Sequence, residues 1–195
     1  MPRVAALLVV LATLAFAAAG CGGGGGGSDN SSSSGADPDT WAADVCGALN
    51  TWTDDLTTKS QSLSSELKSS SDLKGVKETL IEFLDDAKAS TQTMVDDVKN
   101  AGPPEGENGT TIQDDLEAGL TEARETLDHA EDTAKALDTD NPRAFLTGVS
   151  SLAQQVQTEL QATAEHFKSI ESTSGDLDDA ISNEPSCKPF VSSSD

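Results

Sequence analysis

The sequence predicts an all-α protein, an up-down-up-down antiparallel four-helix bundle behind a disordered Gly/Ser tether. From residue 38 onward, apolar residues recur at spacings of three and four in four successive stretches, which is the period of an amphipathic helix. Short segments rich in Ser, Gly, Pro or Asp separate the stretches, and none of them alternates with period two long enough for a strand. Helices of about 27–30 residues joined by such loops pack as antiparallel neighbours and give a bundle about 40–45 Å long. Two long hairpins packed less regularly are the alternative.

The first helix begins at Pro38, with Asp37 or Asp39 as its cap, and ends where three serines, residues 69–71, break the pattern. Lys59 interrupts its apolar seam. The rest of the seam is Trp41, Val45, Leu49, Trp52, Leu56, Leu63 and Leu67.

The second helix is capped by Asp72 and ends at Gly102, because Pro103 and Pro104 cannot continue it. Its seam runs from Leu73 to Val98. The segment 102–109 is a loop by composition.

The third helix begins at Thr111, which forms a capping-box pattern with Asp114, and its seam runs to Leu137. Asn141 and Pro142 open the fourth helix, since proline at the first turn loses no hydrogen bond. That seam reaches Ile170 and is listed as Phe145, Val149, Leu152, Val156, Leu160, Thr163, Phe167 and Ile170. A weaker continuation passes through Leu177, Ala180 and Ile181.

The N-terminus has the pattern of a secretory signal, with one basic residue, Arg3, followed by the apolar run 4–19. Sixteen residues span roughly 24 Å, which is short of the ~30 Å bilayer core. The run ends in Ala18-Ala19-Gly20-Cys21, which resembles the lipobox of bacterial lipoproteins. The resemblance covers the first 21 residues and implies that Cys21 receives a diacylglycerol after residues 1–20 are removed. An ordinary signal peptide followed by a disulfide cysteine, or an uncleaved membrane helix, is the alternative.

Residues 21–37 are predicted to be the lipidated Cys and a flexible Gly/Ser linker, since this stretch contains almost nothing apolar. A Gly-rich chain of this length reaches roughly 20–25 Å. Residues 38–190 are assigned to the bundle domain and 191–195 to a disordered tail.

The composition is strongly acidic, with 34 Asp and Glu against 12 Lys and Arg and a net charge of −22. Nucleic-acid binding needs a basic patch, so we exclude it as a default. An anionic membrane surface repels such a domain, and we expect the domain itself to be a soluble monomer. The charge is also able to attract cations or a basic partner.

Cys46 and Cys187 remain once Cys21 is lipidated, and an even pair in an oxidising compartment is expected to form a disulfide. In an up-down-up-down bundle the start of the first helix and the end of the fourth lie at the same end. Pro185 and Pro189 allow the tail to turn back toward Cys46. A redox pair is the functional alternative, although the sequence has no CxxC motif.

Catalytic, metal and cofactor sites are not predicted. The histidines His129 and His166 fall about 24 Å apart along the bundle axis, so they cannot share a metal. Nothing in the sequence pairs a serine with either histidine, so Ser-His-Asp catalysis has no support. The acidic doublets are interpreted as a solvated face. One layer of the bundle is a candidate pocket for an apolar or aromatic ligand. The alternative is close helix packing, with the indole of Trp52 filling the gap. The residues of this possible pocket are Trp52, Thr91, Gly119 and Thr163.

The start Trp41-Ala-Ala-Asp-Val45-Cys46, the Gly102-Pro103 loop and the late Cys187 resemble the small, uncharacterised helical lipoproteins of actinobacteria and other high-GC bacteria. The resemblance implies a cell-envelope protein with no assigned activity. The sequence therefore predicts a non-enzymatic, lipid-anchored module on the extracytoplasmic face of the cell membrane, acting on an unknown envelope protein partner. The alternative is an extracytoplasmic protein that binds a small ligand or metal ion in the bundle interior or on the acidic surface.

Overall fold

The computed structural model describes residues 35–70, 72–106, 108–171 and 177–190, with backbone only for residues 160–171. These residues are mostly helical and contain no strand. The helices are α1 Pro38–Ser69, α2 Leu73–Ala101, α3 Gly109–Lys135, α4 Pro142–Glu171 and the short α5 Asp178–Asn183, followed by a 3₁₀ turn at Pro185–Cys187. The four long helices predicted from the sequence are confirmed.

The predicted helix starts agree with the side chains that cap them. The Asp37 carboxylate accepts a hydrogen bond from Thr40 N, and the Asp72 carboxylate accepts one from Gly75 N. Asn141 Oδ1 accepts from the amides of the first turn of α4. At the end of α2, Gly102 has φ 69°, which glycine adopts without a steric penalty.

The predicted start of α3 differs from the observed one. The helix begins at Gly109, two residues before Thr111, and its cap residue Asn108 makes no side-chain capping bond. The Thr111–Asp114 pattern therefore lies inside the helix. Gly109 lies close against the preceding loop, where a Cβ would overlap the Pro104 backbone, so a larger residue does not fit at this helix start.

The buried side chains form two clusters, one toward each end of the helices. One cluster contains Trp41, Ala42, Val45, Cys46, Met94, Val95, Val98, Ile112, Leu116, Leu120, Leu177, Ala180 and Cys187. We call the surrounding part of the molecule the cysteine end and define it as residues 35–53, 92–106, 108–122 and 177–190. The other cluster contains Leu84, Ala87, Leu127, Ala130, Ala134, Leu137, Phe145 and Leu152. We call its surroundings the far end and define it as residues 54–70, 72–91 and 123–159.

Each long helix packs against the next one in the chain, α1 on α2, α2 on α3 and α3 on α4. Within the described residues, α1 and α4 do not pack extensively on each other. Instead, α1 also contacts α5 and the 3₁₀ turn. The C-terminal segment therefore covers part of α1 at the cysteine end.

The chain enters the domain through contacts with the loop between α2 and α3. Ala36 N donates to Pro103 O at 2.8 Å, and Glu105 N donates to Ala36 O at 2.8 Å. We call Gly35, Ala36 and residues 103–105 the entry junction. The contacts of the domain thus begin inside the range 21–37 that the sequence assigned to the linker.

The C-terminal segment is joined to α1 covalently and by hydrogen bonds. The sulfurs of Cys46 and Cys187 are bonded, with their Cα atoms 5.0 Å apart. Asn50 Nδ2 donates to Ser186 O at 2.6 Å and to Cys46 O at 3.0 Å. Cys187 is fully buried, so the bond lies within the packed interior.

Candidate functional site

Two of the four predicted pocket residues lie in direct contact. The Trp52 indole N–H donates to Thr91 Oγ1 at 3.1 Å, and the Thr91 hydroxyl donates to Ala87 O at 2.9 Å. Thr91 is fully buried, and Gly119 is also buried on α3. The side chain of Thr163 lies outside the described residues.

This arrangement fits the close-packing alternative at the position of the predicted pocket. Thr91 holds a hydroxyl inside an apolar layer, and burying a hydroxyl without a partner is costly. The indole N–H and the Ala87 carbonyl provide both of its partners. The side chains of α1 and α2 thus satisfy each other, and a ligand-binding pocket in this layer stays a prediction.

A second polar group lies between α2 and α3 in the far end. The Glu131 side chain is only 8% exposed and accepts from Lys135 Nζ at 2.6 Å. Lys88 Nζ, from α2, also donates to Glu131 and lies 3.2 Å from Asp128 and 3.3 Å from Asp85. We call Glu131, Lys88 and Lys135 the buried ion cluster after its carboxylate, since the Lys88 and Lys135 side chains are 23% and 51% exposed.

The pKa values in this cluster shift in the direction that favours the charged forms. Hydrogen bonds from Lys135 and then Lys88 lower the pKa of Glu131, and they outweigh the opposing effect of burial. The hydrogen bond to Glu131 raises the pKa of Lys88 and also that of Lys135. The cluster is a charge-assisted contact between two helices, and all three groups are ionised near neutral pH.

One buried acceptor among the described residues has no hydrogen-bond partner. Gln113 is 4% exposed, and its Nε2 donates to Val98 O at 2.8 Å and to Glu117 Oε1 at 2.7 Å. Gln113 Oε1 is buried and unpaired. The two acceptors fix the orientation of the amide, so the unpaired oxygen is not removed by exchanging its N and O atoms.

An open, shallow groove runs along the outward face of the first half of α4. Leu146, which is 45% exposed, lies in it. The groove is lined by Pro142, Arg143, Leu146, Thr147, Ser150, Ser151 and Gln154. It has no buried polar group that would orient a ligand.

The described acidic residues do not assemble into a recognisable metal centre. Across the described ranges, no three or more His, Cys, Asp and Glu side chains are grouped to hold an ion. None of the helices in those ranges is long and apolar enough to span a bilayer. The predicted lipidation site Cys21 and its signal, residues 1–20, lie outside the described residues.

Comparison of the chain with protein-family models, with curated proteins and with solved structures finds no match.

The sequence reasoning missed the buried ion cluster and Gln113. The spacing of Glu131 and Lys135 is a visible i,i+4 pair on α3. Nothing local links Lys88 to them, because that contact spans 43 residues and depends on how α2 and α3 align. Gln113 follows the seam residue Ile112, so the sequence places it beside the apolar seam. The pattern gives no sign that its side chain is buried.

Proposed function

We propose that this chain is a lipid-anchored protein of the extracytoplasmic face of the cell membrane, attached through Cys21. The observation that carries the proposal is the use of the three cysteines. Cys46 and Cys187 are bonded to each other, which leaves Cys21 without a partner in its own chain. Cys21 also follows an apolar run and small residues, the position that a lipoprotein signal requires.

The pairing of Cys46 with Cys187 supports the compartment as well. Stable disulfides form in exported proteins and are rare in the reducing cytoplasm. Lipid attachment suits such a protein, since each buried CH₂ adds ~0.8 kcal/mol and two or three acyl chains anchor stably.

We further propose that the four long helices form an up-down-up-down antiparallel bundle. The distribution of the clusters supports it, because the cysteine-end cluster joins the first half of α1 to the second half of α2 and the first half of α3. The far-end cluster joins the second half of α3 to the first half of α4. The missing α1–α4 packing in the described part keeps the less regular pair of hairpins as the alternative.

The domain is proposed to act as a non-enzymatic interaction or structural module for an envelope protein partner. Its buried polar groups support this role, because they link helices to one another. Trp52 and Thr91 join α1 to α2, and Lys88 and Glu131 join α2 to α3. These buried contacts stabilise the arrangement of the helices, so a partner would bind the exposed surface of the domain.

The anchor is tested by acyl mass and by attachment. We expect the purified native protein to start at Cys21 and carry acyl mass, and Cys21→Ala to be released from cells. The matched control is Cys46→Ala with Cys187→Ala, which keeps the lipid site and should stay attached. A native protein without acyl mass, or Cys21→Ala remaining on cells, would refute the anchor.

The partner is tested by crosslinking in intact cells. Wild type and the released Cys21→Ala protein are crosslinked and purified in parallel. An envelope protein recovered with the anchored form at a fixed stoichiometry supports the interaction role. Recovery of the domain alone from both samples argues against it.

A second candidate function is binding of a small ligand in the interior. The unpaired, buried Gln113 Oε1 favours it, because a ligand N–H or O–H would satisfy this acceptor. Ile112, next to it in α3, packs in the same cluster as Trp41, with Trp52 against that cluster. Indole fluorescence should therefore respond to a ligand, and the response should weaken in Gln113→Leu. A flat response across a broad screen would exclude this function.

A further inference from the structure

The entry junction fixes the point at which the N-terminal segment meets the domain. Two backbone hydrogen bonds join Ala36 to Pro103 and Glu105, and the Trp41 indole N–H donates to Gly102 O at 2.9 Å. Trp41 is 4% exposed, so this bond sits at the edge of the cysteine-end cluster. The chain therefore enters the domain beside the loop between α2 and α3.

The backbones at the entry junction approach each other so closely that a side chain at Gly35 would not fit. A Cβ on Gly35 would lie 2.9 Å from Glu105 N and 3.0 Å from Pro103 O. On the other side of the loop, Gly109 leaves no room for a Cβ against Pro104. Glycines thus permit close backbone approach on both sides of the same loop.

The two ends of the molecule differ in charge. The cysteine end carries 13 Asp and Glu but only two basic residues, Lys99 and Lys188. The far end carries 15 Asp and Glu and eight Lys and Arg. Several far-end lysines also form ion pairs there, such as Lys59 with Asp86 and Lys88 with Glu131. The formal charge of the described residues is therefore −11 at the cysteine end and −7 at the far end.

We propose that the domain is oriented with its cysteine end toward the membrane and its long axis along the membrane normal. Repulsion between this end and anionic lipid headgroups keeps a hydrated gap between the domain and the bilayer. The inference rests on the proposed lipid anchor at Cys21. The junction brings the membrane-attached segment to the cysteine end, so that end faces the bilayer. A bilayer containing anionic lipid has a negative surface potential that reaches about one Debye length into solution. The far end, with the open groove on α4, is presented away from the membrane.

Neutron reflectometry on supported bilayers measures both the orientation and the gap. The acylated, full-length mature protein is reconstituted in bilayers of neutral phosphatidylcholine alone or with a third of phosphatidylglycerol. An upright domain gives a protein layer about 40–45 Å thick, and a domain lying flat gives about 20–25 Å. We expect the upright thickness on anionic bilayers.

The electrostatic origin of the gap predicts its dependence on salt. The Debye length shortens from about 30 Å at 0.01 M to about 8 Å at 0.15 M. On anionic bilayers the gap should shrink by ~5 Å or more over this range, a fraction of the change in screening length. On neutral bilayers it should change little. A salt-independent gap on both bilayers would overturn the repulsion.

Two triple variants, each with three fewer negative charges, distinguish the effect of charge at the cysteine end from the effect of total net charge. Asp44→Asn, Asp97→Asn and Asp114→Asn together remove three exposed charges from the cysteine end. Glu66→Gln, Glu82→Gln and Glu125→Gln remove three exposed charges from the far end. We expect the first triple to narrow the gap on anionic bilayers and the second to leave it at the wild-type value. Equal narrowing by both triples would overturn the proposed role of the cysteine end.

The outcomes distinguish this inference from the proposed function. A native protein without acyl mass overturns both. An acylated protein that binds the bilayer but forms a thin layer in contact with anionic headgroups overturns the inference alone. The circular dichroism spectrum of each variant establishes that its helices are retained before the bilayer measurement.

Discussion

Gly109 and Gly47 occupy opposite steric environments, and the same substitution separates them. A Cβ on Gly109 meets the Pro104 backbone, whereas a Cβ on Gly47 meets nothing within 4 Å. We predict that Gly109→Ala lowers the free energy of unfolding by ~1–3 kcal/mol through overpacking. Gly47→Ala, inside α1, should raise it by about 0.5–1 kcal/mol, because alanine restricts the unfolded chain. Urea denaturation measures both. An unchanged midpoint for Gly109→Ala would contradict the contact.

Glu131 gives the second prediction at this scale, which concerns pH. Its pKa lies below the ordinary value of 4.5 in the folded chain, so its stabilising effect is present above that pH and is lost as the pH falls. Glu131→Gln should cost ~1–3 kcal/mol of unfolding free energy at pH 7 and progressively less toward pH 3. Denaturation across this pH range measures the difference.

Glu125→Gln is the control for this prediction, since it removes an exposed charge from the same helix. It should change stability by less than about 0.5 kcal/mol at either pH. If both variants show the same pH profile, the buried ion cluster does not contribute the predicted acid sensitivity.

Among the elements, the four long helices were predictable and the C-terminal segment was only partly so. Apolar spacing and the capping residues Asp37, Asp72 and Asn141 are local signals, so they identify helix starts without knowledge of the fold. The continuation through Leu177 and Ala180 was visible as a pattern. Its packing against α1, beside Cys46, depends on tertiary contact and has no local signal beyond the cysteine count.

The disulfide gives the prediction that belongs to α1 and the C-terminal segment. Cys46→Ser with Cys187→Ser opens a loop with a sequence separation of 141 residues, and the loss of unfolding free energy should be about 2–5 kcal/mol. Cleavage on the amino side of Asp179 by an aspartate-specific endoprotease should also accelerate, because the segment loses its covalent attachment to α1. Denaturation and mass analysis of the fragments measure the two effects.

Cys21→Ser is the control for the disulfide variant and should match wild type in both measurements. Alkylation of the native protein without reductant provides a direct test of the bond. Two thiols that react without denaturant would contradict it.

The whole molecule carries a net charge of −22, and this charge makes its stability depend on salt. Self-repulsion opposes compaction, and screening weakens it. We predict that the thermal midpoint rises between 0.01 M and 0.15 M NaCl, since exposed ion pairs such as Lys74–Glu78 contribute little that salt can remove. Calorimetry measures the midpoint.

The triple Asn variant at Asp44, Asp97 and Asp114 is the comparison for this prediction. It should be more stable than wild type at low salt and approach it at 1 M NaCl, where the Debye length is about 3 Å. A midpoint that falls with salt in wild type would contradict dominant self-repulsion.

At this scale the sequence indicated how many helices there are but not which surfaces meet. The seams of α1 and α4 looked equivalent to those of α2 and α3. In the described part, α1 is contacted at the cysteine end by α5 and the 3₁₀ turn. The entry junction was likewise unpredictable, because Gly35 and Ala36 have no pattern that separates them from the preceding Gly/Ser stretch.

The bond between Cys46 and Cys187 has a mechanical consequence for a molecule pulled between its N-terminus and the residues that follow Cys187. The force first breaks the two backbone hydrogen bonds at Ala36. It can then unfold α1 only as far as Cys46. Beyond that point the load crosses to residue 187 through sulfur. The chain enclosed between these two positions is bypassed, so force alone does not extend it while the covalent ring stays closed.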